Sequence, residues 1–435
     1  MSDTAFGIVS LLVLVLFFLT GTEIAFAIGI IGFVGYAYLV SFSGAMNTLA
    51  KDFYDTFASY GLTVIPLFVL MGQVAFHSGT ARRMYDAAYR CVGHIPGGLA
   101  MTTVVGATLF KAMCGSTFAT VVAFSSIAVP EMVRYGYSKK LATGLVATVG
   151  TLGFLMPPSV LLIIIGLVTE QSIGRLFLAG IVPAVMLAFF FLGITYGWVK
   201  VYPEAAPRGE RFTWKERAKA VPEFVWVVVI FFSVIGGLMM GLFTPTEAGS
   251  IGTAVILILA FAREKFKVKD VIKPIDEALR TACMVLVLVA CSNVFGHFLT
   301  ITDIPALAAQ WTAGLTVNRN IVLIFILLIY LIVGSFIDDL AFMIIATPVL
   351  YPIVLKLGFD PIWFAITVGV TMMIGIVIPP VAIGVFLVKQ ITGEPFKVIY
   401  EGVYPYLIGL IVCLILLFVF PGIATYLPDL LMGMG

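Results

Sequence analysis

The sequence predicts an all-α polytopic membrane protein built from inverted repeats. Of its 435 residues, 61% are hydrophobic and only 11% are charged, and the mean hydropathy is +1.13. No class of soluble protein has this composition. Two proline pairs, Pro157-Pro158 and Pro379-Pro380, stand 222 residues apart (379 − 157 = 222), and the same offset relates Gly153 to Gly375. Duplicated helix breaks in so apolar a chain indicate a transport site at mid-membrane depth.

The charges exclude several functions. A formal net charge of +2 does not indicate a nucleic-acid partner, because the charged residues form short clusters between apolar runs. No hydrophilic stretch is longer than a loop, so we expect no ATP-hydrolysing domain. An ion gradient or a partner protein must then drive any transport.

The first apolar run, residues 6–40, predicts two spans (about 6–20 and 23–40) that turn at Gly21-Thr22. An amphipathic interfacial helix at about 42–60 and a third span at about 61–77 follow. We assign residues 1–97 to scaffold helices and an interfacial arm. Three basic clusters then fix the orientation, because basic loops remain in the cytoplasm. The clusters are Arg82, Arg83 and Arg90; Lys200, Arg208, Arg211, Lys215, Arg217 and Lys219; and Arg263, Lys265, Lys267, Lys269 and Lys273.

Three apolar stretches separate the first two clusters, at about 98–132, 141–169 and 175–199. Three crossings would place the clusters on opposite sides, so one stretch must enter the membrane and return. The stretch 98–132 carries Cys114-Gly115-Ser116-Thr117 at its centre, a poor helix centre and a good hairpin tip. Residues 98–200 therefore predict a re-entrant hairpin, a broken helix and a closing helix, and 201–222 predicts a cytoplasmic basic loop.

The second half repeats this order. Spans at about 223–240, 245–262 and 277–299 make residues 223–318 the second scaffold unit. Residues 319–435 contain a hairpin with Gly334-Ser335 at its tip, a second broken helix and a second closing helix. Each repeat then crosses the membrane five times. Because consecutive units with odd numbers of crossings lie antiparallel, the repeats are inverted and both termini are expected in the periplasm.

The helix breaks could bind a cation on one side and an anion on the other. Adjacent prolines interrupt a helix, and the freed carbonyl oxygens are ligands that a hard cation such as sodium prefers. The half-helix after the break offers free N–H groups to a carboxylate. Asp338 and Asp339 in a membrane-embedded stretch indicate either an ion site or the aqueous mouth of the hairpin. Lys111 either extends towards water or attracts an anion or an acidic partner.

At these residues the chain resembles the large membrane subunit (M) of tripartite ATP-independent periplasmic (TRAP) transporters. The likeness covers nearly the whole chain, and the order and spacing of its short motifs are specific. The resembling segments are VGHIPGGLA (92–100), CGSTFATVVAFSSIAVPEM (114–132), YGYSKKLATGLVATVGTLGFLMPPS (135–159), SIGRLFLAGIVP (172–183), GLFTPTEAGSIG (241–252), GSFIDDLAFMIIATPVLYPI (334–353), GFDPIWFAI (358–366) and GIVIPPVAIGVFLV (375–388).

This resemblance implies the elevator-type fold of the ion-transporter superfamily, with two hairpins and two broken helices moving against a scaffold. It implies a non-enzyme without cofactors that couples sodium flow to import of an organic acid anion, a C4-dicarboxylate, sialic acid or related carboxylate. The implied partners are a separate small membrane subunit (Q) and a periplasmic substrate-binding protein (P), in a bacterial or archaeal cytoplasmic membrane.

The resemblance also assigns residues. It places Gly115, Ser116, Thr117, Gly153, Met156, Pro157 and Ser159 at a first sodium site. It places Gly334, Ser335, Asp338, Gly375, Ile378 and Pro379 at a second. Lys111, Thr120, Pro158 and Pro380 are candidate substrate contacts. Four positions depart from the family pattern: Asp339 replaces a common proline, Ile378 a hydroxyl residue, and Lys111 and Thr120 small or acidic residues.

Two alternatives stay open. The chain could be a stand-alone dicarboxylate carrier or a cation antiporter of the same superfamily. It could also be an intramembrane enzyme with Asp338 and Asp339 as a catalytic pair, which is disfavoured because adjacent helical residues point about 100° apart and no other catalytic group accompanies them.

Overall fold

The computed structural model describes residues 2–433 except 21, 208, 210–211, 264–265, 308–309 and 311–316. Every regular element in this part of the chain is a helix, which confirms the all-α prediction. Seven of the described helices are long and apolar enough to cross a membrane, or eight if a bent pair is one span. Gly21, Arg208, Arg211 and Lys265, named in the predicted turn and basic clusters, lie outside the described residues.

The scaffold of the first repeat follows the predicted order. The predicted interfacial segment is a helix, Phe42–Ala58, and its axis is bent by 58° from the following span, so the two do not form one straight helix. The predicted basic loop after that span is wrong: Arg82, Arg83 and Arg90 lie on a helix whose other face is buried. The helices are α1 (Asp3–Leu19), α2 (Ile24–Leu39), α3 (Phe42–Ala58), α4 (Val64–His77) and α5 (Thr80–Val92).

The rest of the first repeat contains the hairpin, the broken helix and the closing helix. Hairpin 1 consists of α6 (Gly98–Cys114) and α7 (Thr117–Arg134), whose arms pack together. The first broken helix consists of α8 (Lys139–Val149) and α9 (Val160–Val168), and the closing helix is α10 (Ile173–Val201).

The second repeat begins with a helix that starts earlier than predicted, at Trp214, so that Lys215, Arg217 and Lys219 lie on its first turns. A further short helix after the second closing helix was not predicted separately, and it packs on α10. The scaffold helices are α11 (Trp214–Phe231), which continues through a π-helical turn (Phe232–Gly236) into α12 (Gly237–Met239), α13 (Pro245–Arg263) and α14 (Ile272–Ile301). Hairpin 2 consists of α15 (Arg319–Gly334) and α16 (Asp339–Lys356), the second broken helix of α17 (Pro361–Gly375) and α18 (Ile383–Thr392), the closing helix is α19 (Phe396–Val419), and α20 (Gly422–Met432) follows.

Corresponding helices of the two repeats make corresponding contacts, and each hairpin contacts the broken helices of both repeats. The first arm of each hairpin contacts the first half of its own broken helix, α6 with α8 and α15 with α17. The second arm contacts the second half of the other repeat's broken helix, α7 with α18 and α16 with α9. Each closing helix packs on the other repeat's broken helix, α19 on α8 and α10 on α17. The hairpins and breaks therefore form one interlocked unit beside the scaffold helices α1–α5 and α11–α14.

Candidate functional site: hairpin tips, helix breaks and the cavity between them

The tip of hairpin 1 lies directly on the first helix break. Gly115 has φ +62°, and a Cβ atom there would lie 2.6 Å from the carbonyl oxygen of Pro158. Only glycine allows this left-handed turn and this close approach together. The Ser116 side chain then caps α7 by accepting a hydrogen bond from the Ala119 N–H at 3.3 Å. Predicted members of the first ion site are thus adjacent in space.

The first break is fully enclosed. A turn of 3-10 helix, Gly150–Phe154, ends α8, and every residue from there to Ser159 is buried, including Met156 and Pro157. The Ser159 hydroxyl donates to the Phe154 carbonyl at 2.9 Å and accepts the Leu162 N–H at 3.4 Å. One serine therefore satisfies a carbonyl freed by the break and caps the helix that follows.

The second break has the same plan with different side chains. A Cβ atom on Gly375 would lie 3.3 Å from the carbonyl carbon of Gly334 and 3.5 Å from the Ser335 nitrogen, so this tip also meets the break of its own repeat. The carbonyl of Ile376, the counterpart of Phe154 (376 − 154 = 222), accepts the Gly384 N–H at 3.2 Å instead of a hydroxyl.

Burial distinguishes the two breaks. Pro379 and Pro380 are exposed at the molecular surface and Ile378 is half-buried, whereas Pro157 and Pro158 are buried. The second break therefore opens outward, and the first does not.

Asp338 is the repeat counterpart of Ser116 (338 − 116 = 222), and it also caps the helix that follows it. Its carboxylate accepts the N–H of Ala341, the counterpart of Ala119, at 3.1 Å and so caps α16. The two tips are therefore equivalent down to their capping hydrogen bonds, but the second carries a negative charge where the first carries a hydroxyl.

A cavity of about 280 Å³ lies where the tip of hairpin 1 meets hairpin 2 and the scaffold, and we call it the tip cavity. Asp339 is its single ionisable lining residue among those described; it is 2% exposed, and its Oδ1 atom has no hydrogen-bond partner in the described structure. The first turns of three helices line the cavity: α7, α9 and α16. The lining residues are Val69, Gln73, Gly115, Ser116, Thr117, Phe118, Ala119, Gly153, Phe154, Val160, Leu161, Thr281, Met284, Asp339 and Leu340.

A second, larger cavity of about 750 Å³ separates the same two units further along α14. Scaffold residues of α3 and α14 line one wall, and residues of α9 and α16 line the other. Asp52 and His297 lie 3.3 Å apart on its scaffold wall. From Thr281 to His297, α14 rises about 24 Å at 1.5 Å per residue, so the two cavities lie towards opposite ends of one scaffold helix.

None of the four candidate substrate contacts lines the tip cavity, and their role stays a prediction. Thr120 is buried and donates to the Ser116 carbonyl at 3.1 Å. The Pro158 carbonyl packs against Gly115, and Pro380 is exposed at the surface. The Lys111 side chain is fully buried behind the wall formed by Gly153 and Thr117.

Sequence reasoning missed three polar residues of this cavity: Gln73, Thr281 and Asp339 as a lining residue. Gln73 could have been found, because an amide inside the apolar run VIPLFVLMGQVAFH requires a partner. Thr281 gives no such signal, because threonine is common in apolar helices.

Comparisons with known proteins agree with this architecture. Residues 11–423 match the family model described as the tripartite ATP-independent periplasmic transporter, DctM component. The chain is 33% identical over 401 residues to the C4-dicarboxylate TRAP transporter large permease protein DctM of Pseudomonas aeruginosa, covering 92% of this chain and 93% of that protein. It is 32% identical to the isethionate TRAP transporter permease protein DctMQ of Oleidesulfovibrio alaskensis, covering 95% of this chain and 64% of that protein.

The fold also matches a solved structure. The Alcanivorax borkumensis YdaH transporter aligns with a TM-score of 0.61 at 17% identity, covering 88% of this chain and 89% of that one. At that identity the likeness concerns the fold alone, and it agrees with the predicted fold class. The chain is a multi-pass membrane protein and belongs to the DctM family of TRAP transporter large permeases.

Proposed function

We propose that this chain is the membrane subunit of a sodium-coupled secondary transporter that imports an organic acid anion by an elevator mechanism. One observation carries the proposal: the amino-terminal ends of three helices converge on the tip cavity between the hairpins and the scaffold. Each helix N-terminus carries roughly half a positive charge and offers unpaired N–H groups to an anion. The ends of α7 and α9 are capped by the neutral serines Ser116 and Ser159, whereas Asp338 and Asp339 bring negative charge to the end of α16.

The polar side chains of the cavity complete an anion site. The Ser116 and Thr117 hydroxyls come from the moving unit, while the Gln73 amide and the Thr281 hydroxyl come from the scaffold. Ser116, Thr117 and Gln73 can donate hydrogen bonds to carboxylate oxygens, while the Thr281 hydroxyl donates to the Glu277 carbonyl at 2.9 Å. A substrate bound there would be held by both units and would change its contacts when they slide.

Sodium coupling rests on the contacts between tips and breaks. Each tip touches the break of its own repeat, Gly115 at Pro158 and Gly334 at Gly375. A cation bound between tip and break would hold the hairpin closed on its helix, which is how ion binding and substrate binding become linked.

The elevator motion is supported by the two cavities on opposite stretches of α14. By the distribution of basic residues, the tip cavity faces the cytoplasmic half and the larger cavity the periplasmic half. A slide of the hairpin unit along α14 would fill the larger cavity and carry the substrate site towards the periplasm.

The partners and the location follow from the family. We propose a periplasmic binding protein and a separate small membrane subunit, in the cytoplasmic membrane of a bacterium or archaeon. The relative from Pseudomonas aeruginosa that is named a large permease protein supports this division. Family membership also favours the tripartite system over a stand-alone carrier or antiporter.

Reconstitution tests the proposal. The chain is placed in liposomes with its small subunit, the binding protein is added outside, and uptake of labelled succinate or sialic acid is measured under an inward sodium gradient. We expect accumulation only with all three components and sodium. Equal uptake with potassium in place of sodium would exclude the coupling, and uptake without the binding protein would favour the stand-alone carrier.

A further inference from the structure

The Lys111 ammonium lies inside the first predicted ion site. Its side chain is fully buried in the last turn of α6. A Cβ atom built on Gly153 would overlap the Lys111 Nζ atom and would lie 2.9 Å from the Thr117 hydroxyl oxygen. The ammonium therefore fills the space that glycine leaves on the broken helix, between α8 and the tip of hairpin 1.

Lys111 has no acidic partner in the part of the chain that the structure describes. Among the described residues, the Lys111 Nζ atom has no hydrogen-bond partner and no ion pair. A protonated amine in a dry site repels a second cation, because little solvent screens the pair, and the amine occupies the space in either protonation state. A sodium ion between Gly153 and Thr117 would compete directly with the ammonium for the same space.

The second repeat has the opposite charge arrangement. Val333 occupies the position of Lys111 (333 − 111 = 222), and Asp338 and Asp339 occupy those of Ser116 and Thr117. The first tip therefore carries one cation and no acid, and the second carries two acids and no cation. Only the second is electrostatically suited to a mobile cation.

We propose that the Lys111 ammonium replaces the coupling cation at the first break, so that sodium binds only at the second. The proposal rests on the sodium coupling proposed above and limits it to one tip. A tethered ammonium would hold hairpin 1 against its broken helix throughout the cycle, while hairpin 2 would depend on the ion. The number of sodium ions taken per cycle would be smaller by one than in a relative with an ion at both breaks.

The test counts bound sodium on the purified chain in complex with its small subunit. Binding of ²²Na⁺ and sodium-dependent thermal stabilisation are measured at constant ionic strength, with choline as the replacement cation. For the wild type we expect one sodium ion per chain and a Hill coefficient near one. Lys111→Ser, which removes the ammonium and leaves room and a hydroxyl, is expected to bind a second sodium ion.

Three further variants serve as a converse test, a control and a substitute for Lys111→Ser. Val333→Lys brings an ammonium to the second tip and is expected to abolish the sodium response. Lys356→Ser, at an exposed lysine at the end of α16, should behave like the wild type. If Lys111→Ser does not fold, Lys111→Met removes the charge at similar size, and for it we expect one retained sodium ion and an undiminished response.

Distinct outcomes separate the two proposals. Two sodium ions on the wild type, or an unchanged count in Lys111→Ser, would overturn the role of Lys111 while sodium coupling stands. The same holds if Lys111→Met loses its sodium response. Absence of any sodium response in the wild type and all variants would overturn the coupling itself, and the role of Lys111 with it.

Discussion

Single residues set the geometry of both tips, because a tip must turn sharply and still lie flat on a broken helix. Gly115 does this with a left-handed backbone and a close approach to the Pro158 carbonyl. Ser116 and Asp338 do equivalent capping work in the two repeats. The assignment of sodium to the second tip depends on a difference between these caps, because Asp338 is a carboxylic acid and Ser116 a hydroxyl.

Gly115→Ala should destabilise the protein more than an ordinary glycine replacement. A left-handed alanine costs about 1–2 kcal/mol, and the added methyl would also press on the Pro158 carbonyl at 2.6 Å. We expect a lower melting temperature and lost uptake. The matched control is Gly393→Ala, because Gly393 has φ +74° and no atom within 4 Å of an added Cβ. Equal losses in both variants would mean that the tip contact contributes nothing.

Asp338→Asn should separate capping from ion binding. Asparagine caps helices about as well as aspartate, so the melting temperature without sodium should change little. The charge is lost, and we expect sodium affinity, measured by thermal shift, to fall at least about tenfold, or ~1.4 kcal/mol. Asp360→Asn is the control: Asp360 caps α17 through the Trp363 N–H at 2.7 Å, away from the tip. Unchanged sodium affinity in Asp338→Asn would remove Asp338 from the ion site.

At the scale of elements, small residues let the interlocked helices of the two repeats approach closely. Gly144 on α8 and Gly402 on α19 lie backbone to backbone, and a Cβ on either would overlap the facing main chain. Close backbone approach is the usual basis of helix association in membranes. Lys139–Glu394 and Lys140–Glu401 ion pairs join the same two segments at their ends.

Gly402→Ala should therefore loosen the contact between the repeats. The methyl would overlap the Lys140 carbonyl oxygen, so the helices must separate or tilt, at a cost of about 1–3 kcal/mol for overpacking. The melting temperature in detergent should fall. Gly193→Ala on α10 is the control, because an added Cβ there meets no atom within 4 Å. A similar melting temperature for both variants would argue against a tight α8–α19 contact.

The element order was predictable because its signals are local. Gly115-Ser116 and Gly334-Ser335 interrupt apolar runs, and proline pairs end helices wherever they occur. The helix at Arg82–Arg90 was missed because its basic face suggested a loop, although its other face is apolar. The tip cavity was not predictable: Gln73, Thr281 and Asp339 are distant in sequence, and only packing brings them together.

At the scale of the whole molecule, the hairpins and breaks form a unit that meets the scaffold along α4, α5, α11 and α14. The tip cavity and the larger cavity interrupt this interface. In the proposed motion, a slide of the hairpin unit along α14 fills the larger cavity. In the elevator that we propose, the hairpin unit slides as a rigid body, because its internal contacts are interlocked across both repeats.

Cross-linking the moving unit to the scaffold tests this motion. Thr281 on the scaffold and Leu340 on hairpin 2 line the same cavity, so a short bifunctional thiol reagent should join cysteines at these two positions. The background lacks the native cysteines Cys91, Cys114, Cys283, Cys291 and Cys413. If transport requires sliding along α14, the cross-link should abolish uptake in proteoliposomes, and its reductive cleavage should restore it.

The control cross-link lies within the scaffold, between cysteines at Leu67 and Thr253, where the Thr253 hydroxyl donates to the Leu67 carbonyl at 2.8 Å. This link joins α4 to α13, which do not move relative to each other in an elevator, so uptake should persist. Full uptake by protein that is mostly cross-linked between Thr281→Cys and Leu340→Cys would contradict the elevator, because the substrate would then cross without sliding. Loss of uptake in the control as well would instead indicate that the scaffold itself changes shape.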